Sequence, residues 1–90
     1  MAEVRAGVDA LDREIVALIG QRFRYMDAAA RIKPDRAAVR DEERKADVLA
    51  KVAAHAALSG VPAAVAAELY ERLIEASIAY EFDRFDSLRD

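Results

Sequence analysis

The sequence predicts an all-α chain of three helices, one long and two shorter, paired with a second copy in an intertwined helical homodimer. Three observations carry this expectation. Apolar residues recur at steps of four and three, as one helix face requires. Alanine, leucine and charged residues dominate, and β-branched runs are absent. The first periodic segment is also longer than a globule of this size is wide.

That first segment spans about Glu3 to Ile32, and its seam reads Val4, Val8, Leu11, Ile15, Leu18, Arg22, Tyr25, Ala29 and Ile32. At about 1.5 Å per residue it is roughly 45 Å long. Pro34 biases Lys33 away from helical geometry and ends it. The second helix begins at Asp41, an N-cap residue followed by Glu42 and Glu43 in the dipole-favoured first turn. It carries Val48, Leu49, Val52 and Ala56 and stops at Ser59-Gly60, where glycine suits a left-handed cap. The third starts with Pro62 at its first helical position and continues through Leu69, Leu73, Ile74, Ile78 and Phe82 to about Phe85. The stretch from Lys33 to Arg40 is the one flexible candidate.

The length of 90 residues allows one domain over 1–90, and an apolar fraction of 54% excludes general disorder. One long and two short helices cannot close a core alone at this size. A symmetric dimer in which the long helices share their seams supplies the missing cover. Gly20, mid-helix, either admits a close neighbour or is a tolerated surface glycine.

Composition removes several kinds of chemistry. With no cysteine there is no disulfide framework, thiolate nucleophile or thiolate metal site. His55 is the only histidine and reads as a surface residue of the second helix, so a histidine-rich metal cluster is excluded. No run approaches the roughly 18–20 apolar residues of a membrane span. The N-terminus lacks the apolar region of a signal peptide, and a cytoplasmic protein is expected. The net charge of −3 gives no general drive toward nucleic acid.

Charged residues in apolar positions point to a site. Arg22 occupies a core slot of the long seam, and Lys33 lies about three turns further on the same face. Burying an unpaired cation costs several kcal/mol, so an anion is expected beside them. Few acidic residues occupy the matching faces, and the missing anion reads as a ligand. The competing reading lays both stems over apolar surface with their charges in water. Arg5, on the flank of the same helix, lies roughly 25 Å from Arg22 and can meet it only through an antiparallel partner helix. Arg44 is a further cation, in the first turn of the second helix, where the helix dipole opposes it.

The third helix supplies the complement. Tyr70, Ile74, Ser77, Glu81 and Phe85 form one continuous stripe, so Glu81 interrupts an apolar face one turn after Ser77. A carboxyl buried in such surroundings holds its proton more tightly and becomes a candidate donor near neutral pH. The alternative pairs Glu81 with Arg84 in solvent.

Five pieces in order resemble the small all-helical class of chorismate mutase, which includes the related isochorismate pyruvate lyase. They are Arg5 with Ala10-Leu11-Asp12; Gln21-Arg22; Lys33; Val39-Arg40-Asp41 through Arg44; and Ile74-Glu75-Ala76-Ser77 leading to Glu81. The resemblance covers nearly the whole chain, and Tyr25 to Lys33 leans toward the lyase branch. It implies an intertwined dimer with two equivalent pockets and no cofactor. Arg22, Arg44 and the partner subunit's Arg5 would hold two substrate carboxylates. Lys33 would reach the ether oxygen, Glu81 would face it from the opposite side, Ser77 would touch a carboxylate, and Asp41 the ring hydroxyl.

Such a site suits a pericyclic reaction, which needs no nucleophile, metal or cofactor. Fixed donors aimed at the ether oxygen stabilise charge that appears as the C–O bond breaks. One departure divides the expectation. Most mutases follow the residue matching Arg44 with a glutamate, where this chain has Lys45, which favours isochorismate over chorismate; Glu81 favours the mutase, which is the preferred reading. A reading of another class, a non-catalytic helical dimer that binds a partner through exposed apolar surface, predicts no cavity between the helices.

Overall fold

A computed structural model describes residues 1–90 and contains α1 (Ala2–Ile32), a single 3₁₀ turn (Arg36–Ala38), α2 (Glu42–Ser59) and α3 (Ala63–Leu88). The all-helical, three-helix expectation holds. The ends of α1 and α2 fall at their sequence signals. Lys33, just past α1, is extended with ψ 137°, the geometry Pro34 imposes on its predecessor. Asp41 caps α2 by accepting from the Arg44 backbone N–H at 3.0 Å, and Gly60 closes it at φ 73°.

Three details differ from expectation. Pro62 caps α3 from outside, with ψ 130°, and its carbonyl accepts from the Val65 and Ala66 N–H groups at 3.1 Å. The helix also runs to Leu88, because neither glycine nor proline interrupts Asp86-Ser87-Leu88. The supposedly flexible stretch between the first two helices is built: Asp35 Oδ1 accepts from the Ala38 N–H at 3.0 Å, and Val39 is buried with Ala30 and Phe85. A local side-chain bond and one apolar anchor order a segment whose composition alone gives no periodic signal.

α1 and α2 each pack on α3 and not on each other. The stripe expected on α3 is the centre of the chain, with Ile74, Ser77, Glu81 and Phe85 all buried. Along α1 the packed face from Arg22 onward runs through Met26, Ala29 and Ala30 to Lys33. Tyr25 and Ile32, read as seam residues, are 75% and 80% exposed because they lie on the other flank of the helix. The N-terminal seam residues Val4, Val8, Leu11, Ile15 and Leu18 are all about half exposed or more. The radius of gyration is 15.7 Å, against about 12 Å expected for a compact chain of this length. The long axis measures 51 Å, set by α1. No helix is long and apolar enough to cross a membrane.

Candidate active site

Because α1 and α2 leave each other untouched, a cavity of about 310 Å³ opens between them over α3. This lies at the small end of the volumes that hold metabolite-sized ligands. Its polar lining is Arg22 and Lys33 from the α1 side, Asp41, Arg44 and Lys45 at the start of α2, and Ser77 and Glu81 from α3. Met26, Ala29, Val39, Val48, Ile74 and Ile78 complete the wall. Four cations against two carboxylates make the cavity a receptor for anions. The non-catalytic reading, which predicts no cavity, loses its footing here.

Six of the seven residues singled out in the sequence therefore meet in one place. Arg5 does not line the cavity. It belongs to the part of α1 that extends beyond the packed end.

Arg22 and Lys33 resolve differently. Arg22 has no carboxylate partner within the chain; Nη1 donates to Ser77 Oγ at 2.7 Å, and the guanidinium lies 5.8 Å from the centroid of the Tyr70 ring. Ser77 Oγ in turn donates to the Leu73 carbonyl at 2.6 Å, which fixes its orientation. Lys33 does have an anion of its own, contrary to expectation: Nζ lies 2.6 Å from Glu81 Oε2. The contact lies off the hydrogen-bond direction, since Oε2 has no aligned donor, so it is an ion pair. Nζ also approaches the Val39 carbonyl at 3.4 Å. Stepping four residues along α3 brings Glu81 under the end of α1, a meeting that the seam of α1 alone does not reveal.

Glu81 is 3% exposed and does not pair with Arg84. Arg84 instead meets Asp27, with Nε 3.0 Å from Oδ1. Tyr80 donates to the same oxygen at 2.8 Å and packs edge-on against Phe23. That hydrogen bond, with burial, holds the Tyr80 phenol above its ordinary pKa. The cluster fastens α1 to α3 beside the cavity and was not foreseen, because Asp27 lies off the apolar seam.

At the mouth, Arg44 Nη1 bonds Asp47 Oδ2 at 2.6 Å and is largely exposed, so this guanidinium must turn inward to touch a ligand. Hydrogen bonds from Lys51 and then Arg44 hold the Asp47 carboxyl below its usual range. Lys45 is more enclosed, donating to Glu71 Oε1 at 2.7 Å and Glu75 Oε2 at 2.9 Å. Those two carboxylates hold the Lys45 ammonium above its ordinary pKa. Arg40 grips Glu75 with both terminal nitrogens, at 2.7 and 3.2 Å. Arg40 and then Lys45 depress the Glu75 carboxyl to about 2. Lys45 is thus a fixed cation in the wall, where an acid was expected from the mutase pattern.

Comparison with known proteins agrees with this arrangement. An isochorismate pyruvate lyase of Pseudomonas aeruginosa is 34% identical over 79 residues, covering 88% of this chain and 78% of the relative. The family described as chorismate mutase type II matches residues 4–82, from the exposed seam through Glu81. With its three helices and its cationic cavity, the chain belongs to the chorismate mutase type II family.

Proposed function

We propose that residues 1–90 form one catalytic domain that works as a homodimer and rearranges chorismate to prephenate. The observation that carries this reading is the cavity itself, a cationic chamber in which Lys33 and Glu81 are in direct contact at the floor while Arg22 keeps its charge free of any carboxylate in the chain. Arg22 and Arg44 grip the substrate carboxylates, joined by the partner subunit's Arg5. Guanidinium forks suit this task because they bind carboxylates at two points and hold the enolpyruvyl arm over the ring.

Lys33 then acts on the ether oxygen as the C–O bond breaks and negative charge collects there. Its ion pair with Glu81 keeps the ammonium in the cavity before substrate arrives. Glu81, in contact with that ammonium, completes the polar pair that meets the ether oxygen. Ser77 orients Arg22 and meets a carboxylate, and Asp41 accepts from the ring hydroxyl while capping α2.

A second reading, elimination of pyruvate from isochorismate to leave salicylate, is favoured by Lys45. An ammonium held by Glu71 and Glu75 cannot accept from the chorismate hydroxyl, and a relative is an isochorismate pyruvate lyase. Both reactions break the same type of ether bond in the same kind of pocket. Separate incubations with chorismate and isochorismate, followed for prephenate and for salicylate plus pyruvate, decide between them. Prephenate as the faster product supports the mutase, salicylate plus pyruvate supports the lyase, and turnover of neither removes both.

The proposed dimer draws on the half-exposed seam of α1 and on the distance that separates Arg5 from the cavity of its own chain. Mixing Arg5→Ala with Arg22→Ala chains should restore sites containing both native arginines. Mixed dimers without recovered turnover would remove Arg5 from the partner's site.

A further inference from the structure

We propose that the last turn of α3 is a two-point clamp that sets the position of Lys33, with Arg89 as its positioning residue. The inference rests on the role proposed above for Lys33. Lys33 sits one residue beyond α1, where the carbonyls of the final helical turn have no partners further along the helix. Arg89 meets them from α3. Nη1 donates to the Ala30 carbonyl and Nη2 to the Lys33 carbonyl, both at 3.0 Å. The guanidinium stacks 3.6 Å from the centroid of the Phe85 ring, which holds the fork in place.

The second point lies just past Pro34. Arg36 Nε and Nη2 reach the two carboxylate oxygens of Asp86 at 2.9 and 3.3 Å, and its guanidinium lies 4.5 Å from the centroid of the Phe82 ring. The backbone from Ala30 to Arg36 is therefore held at both ends by Asp86, in the last turn of α3, and Arg89, its C-cap residue, and Pro34 stiffens the span between them. Glu81, on the same helix, pairs with Lys33 Nζ. One rigid element thus holds the lysine by its main chain and by its ammonium group.

Of the three hydrogen bonds of Arg89, two go to main-chain oxygens on the α1 end and the third, at 3.4 Å, returns to the Phe85 carbonyl of α3, so Arg89 reaches the site only through the segment that carries Lys33. Asp86 and Arg89 lie beyond residue 82, where the family match ends.

The decisive experiment is a double-mutant cycle of Arg89→Ala with Lys33→Ala, assayed on the preferred substrate at a temperature where circular dichroism shows every variant folded. Arg89→Ala should lower kcat about tenfold, since small displacements of a catalytic group are costly, and leave KM within about threefold. Arg89→Lys, which keeps the charge but loses the planar fork and its stacking on Phe85, should recover only part of the loss. In the Lys33→Ala background, Arg89→Ala should cost nothing further in kcat. An equal loss in both backgrounds, or an effect confined to KM, would overturn the positioning role.

Amide hydrogen exchange tests the clamp without any turnover. Arg89→Ala should speed exchange at Ile32 and Lys33, whose amide bonds the Ala29 carbonyl at 2.9 Å, and leave α2 unchanged. Unchanged exchange at these amides overturns the clamp. If the wild-type chain turns over neither substrate, the functional reading fails alone, and exchange still decides the clamp.

Discussion

The two ends of α1 behave as different molecules. From Arg22 to Lys33 the helix is fastened to α3 by the Asp27–Tyr80–Arg84 cluster, the Arg22–Ser77 bond and the Lys33–Glu81 pair. Toward the N-terminus the same helix offers Val4, Val8, Leu11, Ile15 and Leu18, none of them buried. The closed end adds these polar fasteners to a small apolar core of Ala30, Val39 and Phe85, whereas the open end has an apolar seam left about half exposed or more. The closed end spends its polar groups on a cavity, and the open end leaves its apolar surface uncovered in the single chain. Contiguous exposed apolar surface on this scale marks an interaction face.

Placing a charge on the open seam is expected to have the largest effect. Ile15→Asp should leave the single chain little changed, because Ile15 is about half exposed there, yet would bury an unpaired carboxylate in each half of the proposed dimer. An uncompensated buried charge costs about 3–5 kcal/mol, so association should be lost. Sedimentation velocity with far-ultraviolet circular dichroism checks this: a shift to monomer with helicity retained is expected, and unchanged association would place the interface elsewhere.

At the closed end, Lys33→Ala should reduce kcat by roughly 10²–10³ while binding changes far less, because the ammonium works on charge that appears only in the transition state. Association should persist, in contrast to the seam variant, while stability falls because the buried Glu81 loses its partner, so turnover is read at a temperature where circular dichroism shows the variant folded. An unaltered kcat on both substrates would take Lys33 out of the chemistry. Glu81→Gln keeps a hydrogen-bonding group beside Lys33, so it should retain turnover, whereas Glu81→Ala should not. Stopped-flow or continuous ultraviolet assays of both variants make the comparison, and equal rates would release Glu81 from its assigned role.

A smaller effect is expected at the α2–α3 clasp. The Glu75 carboxyl is depressed to about 2 by Arg40 and Lys45, so its folded-state pKa lies below the ordinary value of 4.5. Its stabilising contribution is therefore complete above about 4.5 and disappears as pH falls through about 2. Glu75 is 40% exposed, which keeps the contribution modest through solvent screening. Urea midpoints of the native chain and Glu75→Gln should differ at pH 6 and converge near pH 2. A constant difference would mean that Glu75 acts through packing and not through charge.

Gly20, near the junction of the two ends, should give the smallest change. A Cβ there would meet only the Arg24 side chain, at 3.9 Å, so the chain itself tolerates alanine. Gly20→Ala should stabilise the helix by about 0.5–1 kcal/mol, read from the thermal midpoint. Destabilisation would show that a neighbour from outside the chain approaches the open end closely at this point.

The limits of α1 and α2 were legible because their signals are local: Pro34 after Lys33, the Asp41 cap, Gly60 in its left-handed turn. The stripe Ile74, Ser77, Glu81 and Phe85 was legible for a related reason, since a period of 3.6 fixes which residues share a face whatever lies opposite. Partner choice was not. Glu81 and Arg84 stand within one turn of α3, yet Glu81 takes Lys33 and Arg84 takes Asp27. The period places both near the α1 contact but does not say how far α1 is rotated about its axis. That rotation separates the buried Ala30 from the exposed Tyr25 and Ile32, and it turns Lys33 onto a carboxylate of its own chain while leaving Arg22 free for another anion. Periodicity is a property of one helix, whereas an ion pair depends on the crossing and rotation of two, so the tertiary structure alone decided which charges meet.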